Sequence, residues 1–286
     1  MIVDLQSNFG LSQRRACSLI EISRRVYRYR SRRQDDREVR DRLKVLADKW
    51  KRFGCARLHV MLRREGLLIN HKKTERLYRE EKLLLRRRRR KKYAAEQRVM
   101  DIPRPMRANH VWSMDFVMDG ISGSRRFKTL SVIDEYTRWC HRTEVDTSLT
   151  GERVKRALNT IAEAHGLPDI IIVDNGPEFI SRALDEWAYQ RGIKLHFIRP
   201  GKPVENCYIE SFNGKFRDEC LNLHWFRSID HARQVIERWR QEYNTERPHS
   251  SLGYLTPAEY VQQLLTDPSG GVPPEEKALK GTTSSI

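Results

Sequence analysis

The chain has 286 residues, 38% of them hydrophobic, and a net charge of +17. At about 150 residues per domain that length predicts roughly two domains with enough apolar material for a core. Residues 1–98 hold 31 Lys and Arg against 12 Asp and Glu, a net of +19, whereas residues 99–286 hold 24 against 26. A cationic module is thus joined to a near-neutral one, and the cationic part suits a polyanion such as DNA, whose phosphates release counterions when Lys or Arg binds. The longest apolar run, Ile170–Val173, is too short for a bilayer, and the start shows no secretory pattern. Five scattered cysteines, Cys17, Cys55, Cys140, Cys207 and Cys220, form no CxxC pair and offer no zinc site. The expectation is a reduced cytoplasmic protein, nucleoid-associated, with no membrane partner.

In chain order, Ser12 and Ser23 are N-cap candidates before helices at Gln13–Ile20 and Arg24–Arg30. Val39, Leu43, Leu46 and Trp50 fall at helical spacing until Gly54 breaks it. Leu58, Met61 and Leu62 begin another helix that Gly66 stops. Asn70 caps a third, His71–Glu81, with Leu77 and Tyr78 inward and Lys72, Lys73, Arg76 and Arg79 outward. Residues 1–85 therefore read as an all-α, helix-turn-helix-like basic region, those four cations being its DNA-contact candidates. The alternative is a basic bundle that meets phosphates and reads no bases. Arg86, Arg87, Arg88, Arg89, Arg90, Lys91 and Lys92 follow, a solvated linker or a nucleic-acid clamp within residues 86–105.

From residue 106 the period changes. Val111–Met118 and Arg126–Ile133 read as strands around an Asp119–Ser124 hairpin loop, and Trp139–Val145 as a third. Gly151–His165 reads as a helix and Ile170–Val173 as a buried central strand. Phe179–Gln190 reads as a helix, Ile193–Ile198 as a strand, and Val204–Cys220 as a helix interrupted by Gly214. Ile229–Tyr243 and Pro257–Leu265 are further helices. The pattern predicts an α/β core over residues 106–265, with a mixed five-stranded sheet flanked by helices. Residues 266–286, rich in Pro, Gly and Ser, read as a disordered tail.

Three acids stand out by context. Asp115 interrupts an otherwise apolar strand, where a charge is costly unless paired or bound to a metal. Asp174 ends the most apolar strand, the end at which open α/β sheets place their sites. Glu210 lies in a helix with 35 residues between it and Asp174, and Arg217 is on its face two turns later. Two Asp and one Glu from separated segments can hold the hard divalent ions that drive phosphodiester chemistry, and Arg217 can hold a phosphate.

The segments Trp112-Ser113-Met114-Asp115-Phe116, Asp174-Asn175-Gly176-Pro177-Glu178-Phe179 and Glu210-Ser211-Phe212-Asn213-Gly214-Lys215-Phe216-Arg217 resemble the integrase-core motifs of bacterial insertion-sequence transposases. They are most similar to the second-frame (orfB) product of insertion-sequence family three, a relative of retroviral integrases. The 35-residue interval fits that family's D,D-35-E spacing, and Arg217 falls where it has a basic residue after the Glu. Tyr243–Tyr254, Thr256–Glu259, Trp50–Gly54 and Asn70–Lys73 add to a resemblance over roughly residues 10–265. It implies an RNase H-like core in which Asp115, Asp174 and Glu210 are the catalytic ligands of Mg²⁺ or Mn²⁺, two ions when DNA is bound. It implies cleavage at transposon ends and strand transfer to target DNA, a homo-oligomer on DNA, and a first-frame (orfA) partner or fusion. The chain is expected to be the catalytic part, without the retroviral zinc module and without a long heptad pattern.

Lys215, Asn213 and Arg217 are the DNA-contact candidates near Glu210, with Asn206 and Asn213 at i−4 and i+3 from it. Glu178 reads as capping or orienting the turn beside Asp174, with a ligand role as the alternative, Glu205 as a surface or capping group, and Asp134 as a neighbour of the ligands. Tyr208 and Phe212 read as packing residues. His110, His196 and His249 read as stacking or core groups, and Arg247 and His249 are open to DNA contact. Two other functions compete: a catalytically silent DNA-binding accessory or regulator, and a related RNase H-like nuclease that cuts RNA in hybrids.

Overall fold

The computed structural model describes residues 1–29, 36–85, 103–123, 125–199 and 203–267. The Arg86–Lys92 run and all but the start of the expected tail lie outside them. The chain divides into two compact units within one helix, at Leu43/Lys44. The expected boundary at residue 85 is not where they part: residues 44–85 group with the sheet.

The first unit starts with α1 (Ile2–Phe9), α2 (Gln13–Leu19) and α3 (Arg24–Arg28). Gly10, at φ +61°, ends α1, a helix that the sequence reading did not include. Ser12 and Ser23 are the expected caps, accepting from Arg15 N and Val26 N. Ile2, Ala16 and Cys17 form the small core.

Helix α4 (Arg37–Lys49) leads into the second unit, where α5 (Cys55–Arg64) and α6 (His71–Glu80) follow. Asn70 Oδ1 accepts from Lys72 N at 2.9 Å and starts α6. Leu58, Leu62, Leu77 and Tyr78 are buried, and a His59 ring nitrogen hydrogen-bonds Thr74 Oγ1 at 2.8 Å across the two helices. Ion pairs explain why this segment belongs with the sheet. Lys49 meets Glu246 at 2.9 Å, Arg52 meets Asp218 at 3.3 Å, Arg57 meets Glu219 at 3.3 Å and Arg64 meets Glu259 at 2.5 Å.

The sheet comprises β1 (Val111–Ile121), β2 (Arg125–Asp134), β3 (Cys140–Asp146), β4 (Ile170–Val173) and β5 (Lys194–Phe197) in the order β3-β2-β1-β4-β5. The β1–β2 and β2–β3 pairs are antiparallel; β1–β4 and β4–β5 are parallel. This is the expected mixed sheet, an RNase H-like arrangement. Helices α7 (Gly151–His165) and α8 (Arg182–Gln190) cover one face, burying Trp112, Met114, Leu130, Val132, Ile161 and Trp187. Helices α9 (Cys207–Glu219) and α10 (Ile229–Thr245) cover the other, with Val117, Phe127, Phe212, Phe216, Ile236 and Trp239 between. α11 (Pro257–Thr266) starts at a capping box of Thr256 and Glu259. The outer edge of β3 is covered by α10: Asn244 bonds both Cys140 N and Cys140 O at 2.9 Å, and Arg240 donates to Cys140 O.

Several sequence expectations need correction. Asp119–Ile121 are strand, not loop: the ladder continues through Asp119↔Phe127 and Ile121↔Arg125, and Gly123 at φ +85° turns the chain. α8 starts at Arg182 rather than Phe179, because Ser181 caps Leu184 N while Phe179 enters the core and stacks on Phe116. Pro203–Asn206 form a 3-10 turn, and α9 then runs through Gly214 unbroken. Burial of Phe212 and Phe216 on either side outweighs the roughly 1 kcal/mol that a mid-helix glycine costs. Thr266 ends α11 and is not part of a tail.

Candidate active site

Strand alternation decides which β1 side chains meet α9. Trp112, Met114 and Phe116 point to α7 and α8, so Ser113 and Asp115 point the other way. Ser131 stands directly across from Asp115 on β2. On the other side, Ser113 pairs with Ile172 of β4. Two residues further on, that parallel register brings Asp174, just past the end of β4, beside Asp115. Glu210 lies in the first turn of α9, which crosses this face.

Asp115 is held twice. Its Oδ1 accepts from Phe116 N at 2.7 Å and its Oδ2 from Asn213 Nδ2 at 2.8 Å. Burial pushes its carboxyl up to about 6; the charges of Asp174 and Glu210 push the same way, while the Phe116 N–H and the Asn213 amide oppose them. Asp115 thus lies within electrostatic reach of both other acids. Among the described residues no group of three or more His, Cys, Asp or Glu is placed so that it could hold a metal ion as it stands.

The Asp174 loop is fixed by its own backbone. Asp174 Oδ1 accepts from Gly176 N at 2.9 Å, and Asn175 Nδ2 donates to Ile198 O at 2.8 Å. A Cβ at position 176 would stand 2.9 Å from Asp174 Oδ1, so a side chain there would displace the carboxylate. Glu178 pairs with Lys128 of β2, which holds its carboxyl below the usual range against the opposing effect of burial. Glu210 is exposed, and partial desolvation raises its carboxyl.

Carboxylates are the donor type a hard divalent cation takes; that of Asp115, half-buried, is raised first by burial and then by the charges of Asp174 and Glu210, and Asn213 donates to it. Asn213, an expected DNA contact, donates its amide to Asp115. Arg217 is exposed and donates to Met118 O at 3.3 Å. Lys215 donates to Ser211 Oγ at 2.9 Å; burial, then the nearby Arg247, lowers its ammonium to about 8. On α6, Lys72 is exposed, Arg76 pairs with Glu80 at 3.0 Å and Arg79 with Glu75 at 2.6 Å; Lys73 lies beside them.

Other expectations change. Glu205 is buried, not a surface group, and accepts from Arg199 N at 2.8 Å. Asp134 does not face the acids: it accepts from Asn109 N at 2.6 Å and Thr137 N at 2.7 Å and ties the β2 end to the start of β1. Arg247 is only 2% exposed and meets Glu219 through two 2.6 Å bonds, so it is an internal strut rather than a DNA contact. His249 is buried edge-on against Tyr243. Asn206 is buried and Phe212 packs in the core, while Tyr208 lies under the Arg138 guanidinium at 4.1 Å. His110 accepts from Met106 N at 3.0 Å, and His196 sits on β5.

One group escaped the sequence reading. Glu135, fully buried just past β2, hydrogen-bonds Ser113 Oγ on the Asp115 face, and burial raises its carboxyl to about 7. The available signal was a second acid, next to Asp134, just past the buried Val132–Ile133 end of β2.

The sheet and the site define an integrase-core protein, and comparison with known proteins agrees. Two families described as "Integrase core domain" match residues 105–203 and 191–257, and an "HTH-like domain" family matches residues 33–91. An uncharacterized 31.7 kDa protein of insertion element IS407 from Burkholderia multivorans is 48% identical over 90% of this chain and 93% of its own. The putative transposase InsK of insertion sequence element IS150 from Escherichia coli is 25% identical over 74% of this chain and 78% of its own. The HTLV-2 integrase catalytic core domain in complex with magnesium, in a dimeric form, superposes with a TM-score of 0.41 at 19% identity, covering 54% of this chain and 97% of that one. The chain belongs to the integrase-core transposase family of insertion elements, and a DDE transposase function acting on DNA follows from that membership. Among the described residues no helix is long and apolar enough to cross a membrane.

Proposed function

We propose that this chain catalyses metal-dependent DNA strand cleavage and strand transfer, with Asp115, Asp174 and Glu210 holding two Mg²⁺ (or Mn²⁺) ions. The observation that carries this reading is the Asp115 carboxyl, half-buried, raised to about 6 and sensing the charges of both other acids. Such a set repels itself when empty of cations, and a divalent ion relieves the repulsion. When bound, the ions supply an activated attacking oxygen and charge neutralisation at the leaving oxygen of a phosphodiester. The protein's own part is positional. Asn213 fixes the Asp115 carboxylate, Gly176 N–H fixes that of Asp174, and α9 carries Glu210 towards them. Arg217, two turns along α9 and exposed, holds a phosphate of the cut strand.

Lys72, Lys73, Arg76 and Arg79 serve DNA binding through the α6 face, helped by the Arg86–Lys92 run. Joining two DNA ends calls for more than one copy, so the active form is an oligomer on DNA, with the first-frame (orfA) protein as a second partner. The test is an end-joining assay with candidate terminal DNA, with Mg²⁺ or chelator, and with and without the first-frame protein. Metal-dependent joined product, lost in Asp115→Asn, Asp174→Asn and Glu210→Gln with unchanged melting, is the expected result. Parent-level activity in all three would overturn the assignment.

A further inference from the structure

A second surface lies at the far end of the same two elements. The β1–β2 hairpin tip and the 221–228 connector touch: Ser122 N donates to Phe226 O at 2.9 Å, and Phe127 meets Phe226 edge-on at 5.4 Å. The residues either side of Phe226 turn outward. Trp225 is 78% exposed, and Arg227 is exposed. Arg125 and Arg126, at the tip, are exposed as well. Among the described residues none of these three arginines has an ion-pair partner. The acids flanking the connector in sequence are committed elsewhere: Glu219 to Arg247 and Arg57, Asp218 to Arg52, and Asp230 to Arg233. Arg217 reaches towards the hairpin through Met118 O.

An exposed indole on a connector that touches an arginine-bearing hairpin tip suits a ligand with both a π-face and negative charge. A nucleic-acid strand has both. The location fits the same polymer. Arg217 is seven residues from Glu210 on α9, about 10 Å of helix rise, and Ser122 is seven residues from Asp115 on β1, about 23 Å of strand. A strand leaving the three acids covers that interval in roughly three to seven nucleotides. Bases inside a duplex are already stacked, so the ring is suited to a base that is unpaired.

We propose that this patch is a second DNA-contacting surface, in which Arg125, Arg126 and Arg227 meet phosphates and Trp225 stacks on an unpaired base of the strand running out of the catalytic site. The proposal rests on the DNA-joining reading above and assigns that reaction a flank with single-stranded character. The test is equilibrium binding, which needs no turnover. The full chain carrying Glu210→Gln is titrated against labelled DNA, either blunt or with a short single-stranded extension, and binding is followed by fluorescence anisotropy. Trp225→Ala in that background is expected to weaken binding of the extended DNA about tenfold and to change blunt binding by less than about twofold. Arg125→Ala with Arg126→Ala is expected to weaken both and to lower the slope of log K against log salt by about two. Equal affinity of all variants for both DNAs overturns the proposal. So does a Trp225→Ala protein that sediments as a smaller assembly with its DNA affinity intact, which assigns the patch to protein contact. A parent chain that gives no metal-dependent product yet keeps the tenfold contrast sinks the catalytic reading and leaves this surface standing.

Discussion

The two faces of β1 differ more than any two segments of the chain. Trp112 and Met114 are fully buried in an apolar layer under α7 and α8, with Phe116 stacked on Phe179 at 4.8 Å. One residue out of phase, Ser113 and Asp115 share the opposite face with Ser131 and Thr129, whose buried hydroxyls have no hydrogen-bond partner among the described residues. Over Trp112–Phe116 the period of two sets an apolar layer on one side and the polar Ser113 and Asp115, the latter proposed for chemistry, on the other, which turns apolar again at Val117 and Ile121. Buried polar atoms cost free energy that the apolar layer must offset.

Substitutions on each side should separate activity from stability. Asp115→Asn is expected to give the largest effect: strand transfer falls by about a thousandfold or more, on the order of 4 kcal/mol of barrier, while the melting temperature holds or rises because a half-buried charge is gone. A fall in both would merge the two faces. Trp187→Ala, on the α8 side and fully buried, is expected to destabilise by about 3–5 kcal/mol in chemical denaturation and to leave activity per folded molecule unchanged.

Glu135→Gln reads the polar face by pH. The folded carboxyl is raised to about 7, so the stability tied to its neutral form is complete below about pH 4.5 and lost as pH rises through 7. The variant keeps an acceptor for Ser113 and carries no charge. It should match the parent near pH 4 and exceed it by about 2–3 kcal/mol at pH 8. Parallel stability curves across that window would show that Glu135 is not a buried acid. Asn213→Ala is expected to weaken divalent-ion affinity or activity about 10- to 100-fold with little change in melting. An unchanged response to metal concentration would remove Asn213 from the machinery.

The sequence was most readable where one physical signal acted alone. Gly151–His165 and Ile170–Val173 match the structure end to end, because an amphipathic stripe and a short β-branched run have few alternatives. The motifs flagged the three acids, but nothing in them told Asn213 the strut from Asn213 the DNA contact, since a side chain's partner depends on strand register. Charge misled at Arg247, where a cation near the chain's end is neutralised by Glu219 28 residues away. The closing motif as a whole is structural: Asn244 covers the β3 edge, Arg247 braces α9, and Thr256 with Glu259 starts α11. Sequence position carries no sign of whether a polar residue faces water or a partner, and only the packed α9 and α10 layer decides it.

Gly214 offers the smallest and cleanest probe. It lies one residue from Asn213, yet a Cβ built there meets nothing within 4 Å and its φ is not in the left-handed region. The polar face therefore gains nothing from the missing side chain, while the helix bears the entropy of a flexible backbone. Gly214→Ala is expected to stabilise the protein by about 0.4–1 kcal/mol, measured by denaturant midpoint at constant slope, with strand transfer unchanged. Should the same change lower activity while raising stability, the backbone of α9 has to flex during the reaction. The division between the two faces of β1 would then be one of motion as well as of polarity.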